Sequence, residues 1–162
     1  MTHNKVDIVL RPTTNEDLDT LFEFQVDEES GYMAAFMPAN HRDKSAYLDK
    51  YRKLLADTSV NNVTIWYKDA IVGSMAKFVM DGKSEITYWI DKHFWGKGIA
   101  TNALASFLEK ELARPLLGRV AFDNLGSQKV LLKNGFKKIG TDRGYASARQ
   151  KEIEEYIYVL EG

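Results

Sequence analysis

The hydrophobic positions along this chain change period several times, and each change predicts an element. Residues 6 to 12, VDIVLRP, alternate as a strand does and stop at Pro12. From Thr14 the spacing lengthens: TNEDLDTLFEF places acids in a first helical turn and Leu18, Leu21 and Phe22 on one face. A second helix is predicted over Glu28 to Met37, ended by Pro38. A third begins at Asp43, with Tyr47, Tyr51, Leu54 and Leu55 as its apolar stripe.

Beyond Asn61 the strand period returns. NVTIWYK (62 to 68), AIVGSMAKFVM (70 to 80) and SEITYWI (84 to 90) are separated by Asp69 and by the turn Asp81-Gly82-Lys83, which predicts an antiparallel meander. A long helix follows over Ile99 to Ala113, with Ala103, Leu104, Phe107, Leu108 and Leu112 facing inward and Pro115 closing it. LLGRVAFD (116 to 123) reads as a strand, and NLGSQKVLLKNGF (124 to 136) as a short helix capped by Gly135. FKKIGT (136 to 141) and EIEEYIYVL (152 to 160) complete the order β-α-α-α-β-β-β-α-β-α-β-β. With no repeat, linker or low-complexity stretch, residues 1–162 are expected to form one α+β domain on a mixed sheet.

Composition narrows the function classes. Lys plus Arg number 22 against 23 acids, a formal charge of −1, which argues against a nucleic-acid partner. No apolar run approaches the ~18 residues that would cross a bilayer, and MTHNKVDIVLRP lacks a secretory core. No membrane association and a cytoplasmic location are therefore expected. The absence of cysteine removes disulfides, thiolate metal sites and a covalent cysteine intermediate. His3, His41 and His93 are too scattered for metal ligation, so no metal is expected.

The most informative stretch is FWGKGIATNALASFLEKEL, residues 94 to 112. A strand, a turn with Gly96 and Gly98, and then a helix is an arrangement that offers unpaired backbone amides and a positive helix end to an anion. The GxxxxGK[ST] pattern of a P-loop is absent. A dinucleotide turn would sit in a parallel unit with a third glycine, whereas Ala100 and Thr101 follow Gly98 here. A tight turn with no ligand is the plain alternative.

WGKGIAT (95 to 101) resembles the acetyl-CoA pyrophosphate loop of the GNAT N-acetyltransferase superfamily, and NLGSQKVLLKNGF resembles that superfamily's next motif. Trp before Gly-Lys-Gly, with Asn-x-x-Ser and Val-Leu-x-Lys-x-Gly-Phe, is similar to the RimJ/RimL-like branch that acetylates ribosomal-protein N-termini. The resemblance implies a mostly antiparallel central sheet of about seven strands flanked by helices, with acetyl-CoA as co-substrate. It implies an amine-bearing acceptor, either a peptide N-terminus or a small molecule, and direct transfer. A homodimer is compatible with it, and a non-catalytic acyl-CoA-binding module of the same fold is the alternative.

Residue by residue, the resemblance implies pyrophosphate binding by the backbone of Gly96, Lys97, Gly98, Ile99, Ala100 and Thr101, with the Lys97 side chain assisting. Trp95 stands where many members have Gln or Arg. Leu131 stands where many have a tyrosine that protonates the thiolate, so no tyrosine acid acts from that position. Glu85 is the expected base, against the alternative of a solvent-facing strand glutamate. A backbone amide of Trp89 or Ile90 would hold the thioester oxygen. Asn124 would bond the pantetheine arm and Ser127 the leaving sulfur, though both also suit plain helix capping. Acceptor recognition is expected from Glu28 to Asn40 and a late loop around Tyr145. Asp27, Glu28 and Glu29 either attract a cation or form a solvated helix start. Tyr32, Phe36, Trp66, Tyr88 and Trp89 either line the acceptor pocket or belong mostly to the core.

Overall fold

A computed structural model describes residues 7–162, so Val6, the first residue of the predicted opening strand, lies outside the described residues. The chain runs β1 (Ile8–Pro12), α1 (Leu18–Val26), α2 (Glu28–Ala34), α3 (Lys44–Ala56), β2 (Asn61–Tyr67), β3 (Ala70–Met80), β4 (Lys83–Ile90), α4 (Ile99–Lys110), β5 (Leu116–Ala121), α5 (Leu125–Lys133), β6 (Lys137–Ala146) and β7 (Lys151–Leu160). A 3-10 turn, Asn15–Asp17, leads into α1, and its Asp17 carboxylate accepts the Thr14 amide at 3.0 Å; a second, Lys92–Phe94, follows β4.

Seven strands form one sheet in the order β1-β2-β3-β4-β5-β7-β6. All neighbours are antiparallel except β4 and β5, which run parallel. That parallel ladder is short: Ser84, Glu85 and Ile86 pair with Leu116, Leu117 and Gly118, and there pairing ends. Past this point β4 stays on β3 while β5 stays on β7, so the sheet forks in its middle.

The main core lies between the sheet and α4 and α5, built from Ile86, Ile90, Ile99, Leu104, Phe107, Leu131 and Phe136. A second cluster joins α1 and α3 through Leu18, Phe22 and Tyr47. Leu131 sits at the base of the fork. A side chain at Gly118 would meet its two methyl groups at 3.0 and 3.1 Å and Ile86 at 3.4 Å. Glycine at 118 thus lets α5 press onto the last paired residues of β4 and β5.

Several predicted boundaries are corrected, among them the strand from 116, which ends at Ala121 rather than 123, and the helix after it, which spans Leu125–Lys133 rather than 124 to 136. α2 ends at Ala34 rather than Met37, because Ala35 leaves the helix with φ 67°. α4 ends at Lys110 rather than Ala113, which turns Leu112 outward to 74% exposure instead of into the core. β6 extends to Ala146 rather than residue 141, so Tyr145 belongs to a strand and is 63% exposed. β6 was hard to see because it is the sheet edge and nearly all its side chains face solvent.

Leu131→Ala is expected to cost about 2–5 kcal/mol of stability, as a fully buried leucine at a tight junction. Urea unfolding followed by circular dichroism measures it, and an unchanged midpoint would refute the wedge.

Candidate functional site

Strand parity decides what β4 presents at the fork. The Asp91 amide donates to the Val72 carbonyl at 2.8 Å, and β3 and β4 pair without a register shift. Residues two apart share an edge, so the amide of Trp89 turns toward β3 while those of Tyr88 and Ile90 turn to the side β5 has left. Of the two amides named from the sequence, Ile90 is the one on the open edge. Its carbonyl accepts the Trp95 indole N–H at 2.9 Å, which braces the following turn against the strand.

That turn is shaped for approach from outside. Gly96 and Gly98 both adopt φ 77°, a left-handed conformation costly for a β-branched residue. A Cβ at Gly96 would find nothing within 4 Å. Asp27, Asp43 and Asn124 cap α2, α3 and α5 with side-chain hydrogen bonds, but α4 begins at Gly98 with none. Its first amides are left for a ligand or solvent. A cavity of about 460 Å³ opens over them, lined by Gly96, Gly98, Ala100 and Thr101, with Lys129 and Lys133 of α5 at its wall. Ile99 also borders it, though its side chain is buried in the core. Lys97 is exposed and does not line the cavity, so its side chain is not brought to the site.

A second cavity of about 550 Å³ lies beyond the fork. Phe36, Met37, Tyr47, Tyr51 and Phe78 make it largely apolar, and Glu85, Arg119 and Glu155 give it charge. The two cavities share a wall made by Ala34, Tyr88, Trp89, Asn124 and Ser127. Phe36, Tyr88 and Trp89 are therefore pocket residues. Tyr32 instead stacks on Arg149, whose guanidinium lies 4.3 Å from its ring centre, and Trp66 packs beneath Arg11 at 5.0 Å.

Glu85 is buried rather than solvent-facing, with 8% of its side chain exposed, and its carboxylate lies 3.5 Å from Arg119 Nε. The same guanidinium reaches Glu155 at 3.3 Å and Asp142 at 3.5 Å. Burial raises the pKa of the Glu155 carboxyl, and Arg119 opposes the shift. Asn124 caps α5, its Oδ1 accepting the Ser127 amide at 3.3 Å; its Nδ2 donates to the Met33 carbonyl at 3.4 Å, and the residue borders both cavities. The Tyr88 hydroxyl bonds the Ser127 hydroxyl and lies 3.1 Å from the Ser127 carbonyl oxygen. Burial pushes Tyr88 up to about 12, moderated by the Ser127 contact.

Arg149, whose side chain is 2% exposed, holds Asp123 bidentately at 2.6 and 2.8 Å and donates to the Tyr32 carbonyl at 2.9 Å. This clamp ties the β6–β7 loop and α2 to the residue preceding Asn124, and it holds the Asp123 carboxyl below its usual range. Asp27, in turn, caps α2 and pairs with Lys92 at 2.7 Å, so it is a structural acid. Arg119, Glu155 and the Tyr88–Ser127 contact were missed from sequence. The one signal was a lone arginine inside the apolar strand LLGRVA.

Among the described residues, no helix is long and apolar enough to cross a membrane, and no group of three or more His, Asp or Glu is placed to hold a metal ion.

Comparison with known proteins bears on this geometry. Residues 7–137 match the family described as acetyltransferase (GNAT) domain. The uncharacterized N-acetyltransferase p20 of Bacillus licheniformis is 26% identical, over 94% of this chain and 92% of its own. The microcin C7 self-immunity acetyltransferase MccE, solved with acetyl-CoA and AMP, superposes with a TM-score of 0.79 at 20% identity, covering 96% of this chain and 93% of its own. Mycobacterium smegmatis RimJ, solved with CoA-disulfide, gives 0.79 at 18% identity, covering 98% and 84%.

The Asp27–Lys92 pair makes a pH prediction. The Lys92 hydrogen bond and the Ser30 amide hold Asp27 at about 2 in the folded chain, below the ~3.9 of an unfolded aspartate. Its contribution to stability is complete above about pH 4 and lost as pH falls through about 2. Asp27→Asn is expected to flatten the stability profile in that window, read by denaturant titrations at successive pH values.

Proposed function

The chain belongs to the acetyltransferase (GNAT) family, and from that membership we propose that it is an N-acetyltransferase moving an acetyl group from acetyl-CoA to a primary amine by direct transfer. The observation that carries this reading is the shared wall. A cavity over an uncapped, glycine-started helix meets an apolar cavity holding a buried carboxylate at the place where the sheet forks.

The residues present fit acetyl-CoA. The turn, open at Gly96 and facing the cavity at Gly98, leaves room for a diphosphate to approach the backbone of Gly96 through Thr101, and Lys129 and Lys133 add positive charge beside it. The bound co-substrate supplies an activated acetyl thioester. The Ile90 amide, on the open edge of β4 with that of Tyr88, is a donor directed to polarise the thioester oxygen, an arrangement typically worth about 2.7–4 kcal/mol in the transition state. Asn124 lies where it can meet the pantetheine arm, and Ser127 where it can donate to the leaving sulfur.

An alkyl ammonium must lose a proton before it attacks. Glu85 accepts it, directly or through a water, while Arg119 keeps the carboxylate oriented. The second cavity is of a size that suits a small amine or the first residues of a peptide. Similar structures include both classes, since RimL is named as a ribosomal L7/L12 alpha-N-protein acetyltransferase and Vibrio cholerae SpeG as a spermidine N-acetyltransferase.

Gly98→Val is expected to weaken CoA binding by about 10- to 100-fold, equivalent to ~1–3 kcal/mol of backbone strain at the turn. Titration calorimetry on a variant that still unfolds cooperatively measures it. Glu85→Gln is expected to lower turnover by about 10²–10⁴-fold with CoA affinity unchanged. A thiol-release assay over peptides, amino acids and polyamines tests the whole reading. CoA binding without thiol release from any amine would favour a non-catalytic acyl-CoA-binding module instead.

A further inference from the structure

We propose that Tyr88 is a positioning residue for the departing sulfur: its phenol hydroxyl turns the Ser127 hydroxyl hydrogen into the passage between the two cavities. The proposal rests on the reading of acetyl-CoA in the first cavity and adds a role for a β4 side chain that the sequence motifs do not mark.

The geometry starts from α5. Leu131 is 1% exposed, filling the base of the fork, so that face of the helix offers no hydroxyl there. Strand parity sends Tyr88 from β4 onto the same side of the sheet as α5, and its ring is long enough to reach the first turn of that helix. There its oxygen contacts both Ser127 Oγ and the Ser127 carbonyl oxygen, the latter at 3.1 Å. Both residues border both cavities.

The other side chains at the wall are apolar, fixed by hydrogen bonds or turned away. Ala34 has no side-chain donor. Asn124 is held in place by accepting the Ser127 amide at Oδ1 and donating from Nδ2 to the Met33 carbonyl, which leaves it one N–H for the pantetheine arm. Trp89 Nε1 is buried without a partner, but its side chain projects from the opposite face of β4 to Tyr88. The Ser127 hydroxyl is the rotatable donor at this wall that the Tyr88 hydroxyl contacts.

Two hydroxyls and one carbonyl allow two settings. In the first, Tyr88 donates to the Ser127 carbonyl and accepts the Ser127 hydrogen, which faces away from the passage. In the second, Tyr88 donates to Ser127 Oγ, and the serine hydrogen points into the passage with its donor strength raised by the bond behind it. Negative charge growing on sulfur favours the second setting.

The chemistry balances without proton loss at Tyr88. Glu85 first relays the ammonium's proton to solvent; the neutral amine nitrogen then forms a bond to the acyl carbon, and the second proton it sheds passes to the freed Glu85 carboxylate. The carbon–sulfur bond breaks with its electron pair on sulfur, and Ser127 hydrogen-bonds the thiolate until it leaves and takes a proton from solvent. Burial keeps the Tyr88 phenol protonated throughout the neutral range.

The test compares binding of CoA with that of desulfo-CoA, which lacks the thiol, by calorimetry from about pH 7 to about pH 10. A donor that stabilises thiolate lowers the bound thiol's pKa, so the wild-type ratio of CoA to desulfo-CoA affinity is expected to rise about tenfold across the range. In Ser127→Ala and in Tyr88→Phe the rise is expected to shrink to about twofold or less. Turnover should fall by about 10- to 100-fold in each, with the KM for acetyl-CoA within about threefold, and the double variant should be no worse than either single one. Should Tyr88→Phe melt early, 3-fluorotyrosine at position 88 keeps the shape and sharpens the donor, and it should raise the ratio. A Tyr88→Phe variant with wild-type ratio and turnover, beside a Ser127→Ala variant that loses both, overturns the inference and leaves the transferase reading intact. No CoA binding by the wild-type chain overturns both.

Discussion

The parting of β4 from β5 after three paired residues is the constraint on which the rest depends. A continuous ladder would have tied the Tyr88 and Ile90 backbone groups to a neighbouring strand and closed the route between the two faces of the sheet. Leu131, set on Gly118 and Ile86, occupies the angle where the strands separate. Hydrophobic packing thereby creates an opening lined with polar backbone. The cost of breaking the ladder is offset by burial of the leucine and by pairing of β5 with β7 on its other side.

Electrostatics around the fork follow from one guanidinium serving three carboxylates. Arg119 lies 3.3–3.5 Å from Glu85, Asp142 and Glu155, so none of them has it alone. Half-buried Glu155 feels its desolvation more than its partner, and its carboxyl is easier to protonate than an ordinary one. Glu85 remains next to a permanent positive charge while facing an apolar cavity. Around this cluster, the Arg149–Asp123 clamp and the Asp27–Lys92 pair hold the segment from α2 against the strands, so both cavity walls are built on fixed side chains.

Much of this architecture could be read from the residue pattern. β3 was predicted at its observed limits, and the strand–glycine turn–helix over residues 86 to 110 was legible because Gly96 and Gly98 need a conformation other residues resist. The faces of α1 and α3 were legible from helical spacing. Elements whose burial does not alternate were less so: β6, at the sheet edge, carries too few inward residues to announce itself, and Leu112 looked like core although the helix had already ended. Site residues joined by sheet pairing were invisible for another reason. Nothing local in LLGRVA or EIEEYIYVL says that Arg119 and Glu155 share a partner, because that depends on β5 lying between β4 and β7. Tyr88 was weighed only as pocket lining or core, since its contact with Ser127 spans 39 residues.

The common wall of the two cavities has a thermodynamic consequence. Ala34, Tyr88, Trp89, Asn124 and Ser127 present one surface to each occupant, so neither can bind without altering what the other meets. Such linkage is reciprocal by necessity: whatever factor the donor contributes to acceptor affinity, the acceptor returns to the donor. The order in which the two ligands enter is therefore a matter of access and rate, and the stability of the assembled complex does not depend on the path taken to it.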